Sequence, residues 1–415
     1  MSGRSLRIAW LGAGPGMRET GGVPGVATDL LEGLAKRGHR IDCLFAGSGH
    51  ELPERVRNRE NLTFIWGTGR RHWNRWYSRS PITAFASGLL LRGMASVRLR
   101  RQVIRRHREE PYDLIYQFSN IESLAVPAKL RHTVPLVIHP ETHIGGELRF
   151  LLRERHLARR CQPLYTLAIA ASVMSVRAVV QRILIRHASL LVCISSIFRD
   201  HLATDYRFPI ESTVVIPNPV RLERFSTTHE QLGDPPTVLV LGRVCARKGV
   251  DDVVAVARLL LARGVDVRLR IVGGPSMWSD YTKLLEDLPA NAEFVGRISP
   301  PEIPGELAQS DVLLQASKFE PFGLTVAEAL AAGVPVVATS EVGAIEAVDR
   351  SVATVSEPGD VEGLADAIEA TIERLRTDPS ATRALAHAEA RRLFASERVC
   401  EQISDALEAL LDHRA

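Results

Sequence analysis

Lysine and cysteine are both rare in this chain of 415 residues. The chain has five lysines, so arginine carries nearly all of the positive charge: Lys36, Lys129, Lys248, Lys283 and Lys318. The five cysteines have no metal-ligand spacing, and their odd number and scatter do not resemble a disulfide framework. We therefore expect them to be small apolar fillers in a reducing cytoplasm.

Long apolar runs are missing as well. The sequence has no uninterrupted run of about 18 apolar residues, so it predicts no membrane span. The first apolar run, residues 6–11, is too short for a signal peptide and ends in glycines. With 45% hydrophobic and 24% charged residues, the composition is that of a soluble globular protein, and the length is sufficient for two domains.

Charge is unevenly distributed along the chain. Residues 1–200 contain 31 basic and 15 acidic side chains, a net charge of about +16, whereas the remainder contains 21 and 33, about −12. This asymmetry predicts an anionic partner for the first half. Two segments that mix arginine with apolar residues, 84–108 and 149–187, supply most of the positive excess.

The first of these segments is a candidate basic amphipathic helix. Three interpretations stay open: a helix packed on its own domain, contact with a membrane surface or lipid-linked acceptor, and contact with another anion. Pro163 is expected to divide the second segment into two helices. No nucleic-acid-binding module is recognisable, so no nucleic-acid partner is expected.

The chain opens with a Rossmann-like pattern. Residues 6–11 read as a strand, residues 23–37 as a helix and residues 41–46 as a second strand. The glycines at 12 and 14 suggest a dinucleotide site, but Met17 occupies the third glycine position and the helix begins too late. Dinucleotide binding is therefore disfavoured.

Two histidines follow a strand predicted over residues 135–138. In open α/β sheets, ligands bind beyond the carboxyl ends of the strands. His139 comes directly at that end and is the better candidate for a functional role, with His143 as the alternate. The structural alternative, a histidine that only fills the core, stays open for both.

A second Rossmann-like unit begins after a polar stretch at residues 221–234. Its first strand is predicted over residues 237–241 and is followed by the sequence G-R-V-C-A-R-K-G, which starts at Gly242. A strand over residues 269–272 ends in Gly273, and Arg297 follows a short strand and turn. The predicted fold class is α/β, with two Rossmann-like domains facing across a cleft.

A turn, a helix and a strand are predicted over residues 317–338. Gly323 breaks the preceding strand, Thr325 can cap the helix through its hydroxyl, and Gly333 fits a left-handed helix end. A free helix N-terminus after a glycine favours an anion. Glu320 and Glu328 flank this anion site, and sugar hydroxyls are good partners for such carboxylates.

This stretch carries a family resemblance. Glu320 and Glu328 are separated by seven residues within E-P-F-G-L-T-V-A-E-A-L-A-A-G-V-P-V-V-A. The pattern closely resembles the retaining glycosyltransferases of the GT-B fold, family 4 (glycosyl transferases group 1). The resemblance implies an acceptor-binding domain over residues 1–220, a nucleotide-sugar-binding domain over 221–398, and a C-terminal helix in 399–415 that packs back on the first domain.

The resemblance also implies roles for individual residues. Arg243 and Lys248 match the family's G-R-x-x-x-x-K-G element, whose cations bind the donor diphosphate, whereas Arg247 is interpreted as a surface cation. The implied catalytic residues are Arg243, Lys248, Glu320 and His139, with His143 as an acceptor or sugar contact. The implied donor-binding residues are Gly21, Gly22, Gly242, Gly273, Arg297, Phe322, Gly323, Leu324, Thr325 and Glu328.

The implied reaction moves a hexose-type sugar from a nucleotide-diphosphate sugar to a hydroxyl acceptor with retention. No convincing nucleophile for a covalent intermediate is visible, so the resemblance favours front-side attack. No Asp-x-Asp stands at a strand end, and we expect neither a metal nor another cofactor.

The acceptor stays open. A lipid-linked or cell-envelope glycan acceptor at an anionic membrane surface is one interpretation, which would place a cytoplasmic bacterial protein peripherally on the inner face of the membrane. A soluble natural product, a sugar-nucleotide epimerase of the same fold and a non-catalytic binding protein are the alternatives.

Overall fold

The computed structural model describes residues 4–15, 22–45, 52–67, 81–119, 126–225, 231–275 and 280–413, with only the backbone described for residues 81–94. Gly21, one of the predicted donor-binding residues, lies outside these ranges. Within them the chain forms two parallel sheets with helices packed against them.

The first sheet has seven parallel strands in the order β3-β2-β1-β4-β5-β6-β7. Its central strands are mostly buried, as expected when helices cover both faces of a parallel sheet, whereas the edge strands β3 and β7 are largely half-buried. The chain reverses its direction of growth between β1 and β4, which is the usual place for a ligand crevice. The strands are β1 (Arg7–Gly12), β2 (Arg40–Phe45), β3 (Leu62–Trp66), β4 (Leu114–Phe118), β5 (Leu136–His139), β6 (Leu190–Cys193) and β7 (Thr213–Val215).

The second sheet has six parallel strands in the order β10-β9-β8-β11-β12-β13. Its point of reversal lies between β8 and β11, so the turns after these two strands meet at one edge. The strands are β8 (Thr237–Leu241), β9 (Arg268–Val272), β10 (Ala292–Gly296), β11 (Val312–Gln315), β12 (Val336–Thr339) and β13 (Ala353–Ser356). Two such sheets confirm the predicted α/β fold class.

The helices that precede β8 are α1 (Val23–Lys36), α2 (Glu54–Arg57), α3 (Pro81–Glu109), α4 (Ile144–Arg153), α5 (Arg155–Cys161), α6 (Leu164–Ile185) and α7 (Ser196–Tyr206). Those that follow are α8 (Val250–Ala262), α9 (Ile303–Ala308), α10 (Leu324–Ala331), α11 (Val361–Thr377), α12 (Pro379–Phe394) and α13 (Ser396–Asp412). Pro163 separates α5 from α6, as the sequence predicts, but residues 149–187 also include the end of α4, so they form parts of three helices rather than two.

The basic helix α3 packs on its own unit. Leu99 and Val103, one turn apart, are buried in the core beneath the sheet, and Arg106 forms an ion pair with Asp42 at 2.8 Å. This is the first of the three interpretations that the sequence left open. Other arginines of α3, such as Arg101 and Arg105, remain exposed.

The last helix, α13, returns to the first unit. Its apolar residues share a core cluster with β1 and α1, and the hydroxyl of Ser404 lies 2.8 Å from His39 Nε2. The chain crosses back where Val220 and Ala395 form an isolated parallel bridge. The domain limits at 220 and 398 stay predictions.

Helix α6 bears on the prediction that the chain has no membrane span. By length and composition alone it is the one helix in the described ranges that could cross a membrane, with a mean hydropathy of 1.6 over its most apolar window. Only 22% of that window is buried. Apolar side chains therefore face outward on it.

Candidate functional site

The turn between β11 and α10 presents a helix N-terminus. Gly323 is the N-cap residue in a left-handed conformation with φ 94°, and a Cβ there would lie 2.8 Å from Val342 Cγ1, so glycine is required. The prediction that Thr325 caps α10 is wrong, because Gly323 is the N-cap residue and Thr325 already lies inside the helix, where its hydroxyl donates to Gln315 Oε1 at 3.1 Å. Among the described residues, no side chain accepts from the first N–H groups of α10, which suits an anionic ligand.

Helix α10 is closed by a left-handed Gly333, as the sequence predicted. This glycine has φ 75°, its N–H donates to Leu330 O, and the N–H of Val334 donates to Ala329 O. These two bonds make a Schellman motif, in which a left-handed residue closes the last turn. The motif turns the chain directly into β12 and fixes the length of α10.

Glu320 is a largely buried carboxylate, 12% exposed, that two cations hold in place. Lys248 Nζ lies 2.5 Å and Arg247 Nη1 2.9 Å from Glu320 Oε2. Burial alone would raise the pKa of Glu320, but Lys248 and Arg247 outweigh it and lower this pKa to about 2. Burial lowers the pKa of Lys248, against the opposing effect of Glu320. The carboxylate is thus charged over the whole neutral range.

Arg247 is not the surface cation that the sequence suggested. Its side chain is only 13% exposed. It donates to Phe319 O at 3.1 Å as well as to Glu320, and its Nε lies 3.7 Å from Glu147 Oε1 of α4. Sequence reasoning missed this role because both partners come from distant parts of the chain.

Lys248 lies where the ends of two strands pack closely against each other. A Cβ on Gly273 would lie 1.6 Å from Gly242 O, so only glycine fits where β8 and β9 end side by side. A Cβ on Gly242 would lie 3.8 Å from Lys248 Nζ, which places this amine at the end of β8. Arg243 is exposed on the same turn and, in the part of the chain that is described, makes no hydrogen bond or ion pair.

Arg297 lies at the next strand end. It follows β10, its side chain is exposed, and its guanidinium donates to Pro275 O at 2.7 Å. The structure therefore places Arg297 beside the turn after β9, at the same edge of the sheet as Gly273.

Glu328, Leu324 and Gly22 line one narrow cavity between the two units. Glu328 points into it from α10, and Gly22 is the N-cap residue of α1. Burial raises the pKa of Glu328 to about 7, with Arg224 opposing and Asp29 reinforcing the change. Two of the predicted donor-binding residues, Glu328 and Gly22, thus line the same cavity.

Phe322 is placed differently from the other predicted donor-binding residues. Its ring packs in the core against Phe394, with 5.8 Å between the ring centroids, and its carbonyl accepts from Ala344 N–H. A ligand could therefore meet only its backbone.

His139 ends β5 and is fully buried. Its Nδ1 lies 2.7 Å from the Tyr116 hydroxyl, and its Nε2 lies 3.5 Å from Glu141 Oε1. Burial lowers the pKa of His139 to about 3 and raises the pKa of Glu141 to about 7, the latter opposed by the Asn218 amide at 2.8 Å. Sequence reasoning assigned no role to Glu141 or Asn218. The signals that could have found them are the segments that contain them, H-P-E-T-H at residues 139–143 and I-P-N at residues 216–218.

His143 contacts the second unit. It precedes α4, its Nε2 lies 2.8 Å from Asp205 Oδ2, and its ring lies 6.2 Å from that of Phe319, the neighbour of Glu320. Burial lowers the pKa of His143 to about 4, with Asp205 opposing. The structure thus brings the alternate histidine, His143, against the Glu320 loop, whereas His139 contacts Tyr116 and Glu141 of its own unit.

A further contact between the units was not predicted. The carboxylate of Glu346 accepts from the N–H groups of Ser196 at 2.9 Å and Ile197 at 2.6 Å, at the N-terminus of α7. Beside it, the Ser195 hydroxyl donates to Pro321 O at 2.8 Å. These bonds hold the Glu320 turn against the first unit.

The described ranges contain no group of three or more His, Cys, Asp and Glu side chains that could hold a metal ion. The positive groups near Glu320 are instead Arg247, Lys248 and the N-terminus of α10. Such an arrangement can bind an anion beside a carboxylate that accepts hydroxyl groups.

Comparison with known proteins gives matches along most of the chain. The model "Glycosyl transferase 4-like domain" matches residues 21–219, and the model "Glycosyl transferases group 1" matches residues 223–392. Among solved structures, sucrose-phosphate synthase from Thermosynechococcus elongatus superposes with a TM-score of 0.70 at 19% identity, covering 98% of this chain and 100% of the other.

The matches to curated relatives cover less of the chain than the structural match does. A GDP-mannose-dependent monoacylated alpha-(1-6)-phosphatidylinositol monomannoside mannosyltransferase from Corynebacterium glutamicum is 29% identical over 42% of this chain, which spans only 51% of that protein. D-inositol 3-phosphate glycosyltransferase from Actinosynnema mirum is 25% identical over 79% of this chain and 77% of its own length.

Proposed function

The chain belongs to the group 1 glycosyl transferases of the GT-B fold, and we propose that it moves a hexose-type sugar from a nucleotide-diphosphate sugar to a hydroxyl acceptor with retention. The observation that carries this proposal is the buried contact between Lys248 and Glu320 at 2.5 Å. It joins the turn after β8 to the turn after β11, at the point where the order of the second sheet reverses.

The donor would bind along the second unit. Arg243, Lys248 and the N-terminus of α10 supply positive charge for the diphosphate. Glu328 would accept hydrogen bonds from ribose hydroxyls, and Glu320 from hydroxyls of the transferred sugar. We propose that these cations neutralise the diphosphate without a metal ion.

The chemical step would rest on electrostatics. Charge develops on the departing phosphate, and fixed donors and cations aimed at it stabilise the transition state. The phosphate itself would take the proton from the acceptor hydroxyl, so that the sugar–phosphate bond breaks as the new glycosidic bond forms on the same face. The neutral imidazoles of His139 and His143 would position hydroxyl groups of the acceptor from the first unit.

An anionic, lipid-linked acceptor fits the first unit best. The mannosyltransferase and the inositol phosphate glycosyltransferase named above both act, by name, on phosphorylated inositols. Helix α6 contains two arginines and no acidic residue. Its exposed apolar residues are Leu164, Tyr165, Val176, Val179 and Ile183, each 53–67% exposed. This combination suits peripheral contact with an anionic membrane surface.

A thermal-shift panel tests the donor. UDP-, GDP-, ADP- and dTDP-sugars are added to the full chain, and one base is expected to raise the melting temperature through preferential binding to the folded state. Slow hydrolysis of that nucleotide-sugar is then measured with and without candidate acceptors. A protein that neither binds nor hydrolyses any of them would contradict the proposal.

A further inference from the structure

Arg247 lies between two carboxylates that come from different units. Glu320 of the second unit accepts from its Nη1 at 2.9 Å, and Glu147 of α4 lies 3.7 Å from its Nε. Glu320, Arg247 and Lys248 are each at most 14% exposed. Two cations therefore share a single buried carboxylate, and one of them is the lysine assigned above to the donor.

Arg247 also holds the loop that carries Glu320. Its side chain donates to Phe319 O at 3.1 Å, and its own carbonyl accepts from Lys318 N–H at 2.9 Å. Phe319 contacts His143 and His201 of the first unit, with ring centroids 6.2 and 5.8 Å apart. Arg247 is thus bonded to the loop through both its backbone and its side chain.

The charges impose a condition on donor binding. If Lys248 left Glu320 for a diphosphate, a buried carboxylate without another counter-ion would carry a large desolvation cost. A guanidinium can hold a carboxylate and a carbonyl at once through its fixed fork of donors, which a lysine ammonium does less well. The second cation at Glu320 is such a guanidinium.

We propose that Arg247 is a positioning residue: it keeps Glu320 neutralised and in place, so that Lys248 can leave Glu320 and bind the donor diphosphate. This inference rests on the proposed function. The pKa shifts of the two cations agree with these roles. Burial lowers the pKa of Lys248, whereas Glu320 and Glu147 outweigh burial and raise the pKa of Arg247.

Calorimetric titration of variants tests the inference. The probe is whichever of UDP, GDP, ADP and dTDP binds the wild type most tightly. Arg247→Met is expected to weaken its binding about 10-fold, because Lys248 then becomes the only counter-ion of Glu320. Arg247→Lys, which keeps the charge but loses the fixed fork of donors, is expected to bind more tightly than Arg247→Met and less tightly than wild type. The control is Arg258→Met, an exposed arginine of α8, with unchanged affinity.

The decisive comparison uses the Glu320→Gln background. Without the carboxylate Lys248 is already free, so adding Arg247→Met is expected to change the affinity by less than about 2-fold. A purely structural role of Arg247 would instead cost about 10-fold in both backgrounds and would overturn the inference. Arg247→Gln replaces Arg247→Met in the comparison if the latter does not fold.

The remaining outcomes separate the two proposals. Wild-type affinity in Arg247→Met overturns the positioning role alone. If none of the four nucleoside diphosphates binds the wild type, the proposed function fails and the role of Arg247 fails with it.

Discussion

The two walls of the cleft differ in how they carry charge. The donor wall, defined by Arg243, Arg247, Lys248, Glu320 and the N-terminus of α10, holds the carboxylate of Glu320 against Lys248 at 2.5 Å and Arg247 at 2.9 Å. The acceptor wall, defined by His139, Glu141 and His143, holds buried groups whose pKa shifts favour their neutral forms. The difference suggests that one wall manages phosphate charge and the other positions hydroxyl groups.

Removing a donor-wall cation should have the largest effect. Lys248→Ala and Arg243→Ala are each expected to lower turnover by about 10²-fold or more, the scale for losing one preorganised donor to a developing negative charge. Steady-state transfer with the best donor measures this. Lys283→Ala, an exposed lysine elsewhere in the second unit, is the matched control. Near-wild-type turnover in both variants would remove the distinction between the walls.

The buried carboxylates of the two walls should respond oppositely to pH. The pKa of Glu141 is raised to about 7, so its contribution to stability is full below about pH 4.5 and is lost as the pH rises through 7. Glu141→Gln should therefore gain stability relative to wild type between pH 5 and 8, on the order of 2 kcal/mol. Urea unfolding at several pH values measures it.

Glu320 provides the opposite case for the same experiment. Its pKa is lowered to about 2, so its contribution is present above about pH 4.5 and is lost as the pH falls towards 2. The difference in stability between wild type and Glu320→Gln should close on acidification, whereas Glu141→Gln should gain on wild type as the pH rises from about 5 to 8. Parallel profiles for the two variants would contradict the contrast.

The outer face of the first unit should matter for membrane contact. The double change Val176→Ser and Val179→Ser on α6 is expected to weaken binding to vesicles of anionic phospholipid by about 10-fold, because apolar area is lost from the docking face. Flotation at low salt measures it. Leu385→Ser, at an exposed leucine of α12 in the second unit, serves as the control. A wild type that does not float would remove the membrane from the proposal.

Chelation should have the smallest effect. With Arg243, Lys248 and a helix N-terminus supplying positive charge, turnover in excess EDTA is expected to stay within about 2-fold of the untreated enzyme. A large loss that Mg²⁺ or Mn²⁺ restores would show that the donor wall needs a further cation.

The sequence predicted the parts of the fold that local patterns encode. The strand expected over residues 237–241 is β8 with the same limits, and β1 lies one residue from its predicted position. Gly333 was recognised because a left-handed helix end requires glycine. Thr325 is not the cap because the helix begins one residue earlier, at Leu324, and Gly323 takes the N-cap position.

By itself, then, the sequence determined two Rossmann-like units and brought Lys248, Glu320 and Glu328 to notice, because spacing around glycine turns is a local property. Only the tertiary structure decided that Arg247 is buried between Glu320 and Glu147, that Glu346 meets the N-terminus of α7, and that His143 faces the Glu320 loop. A buried charge is defined by its partner, and these partners come from segments far apart in the chain.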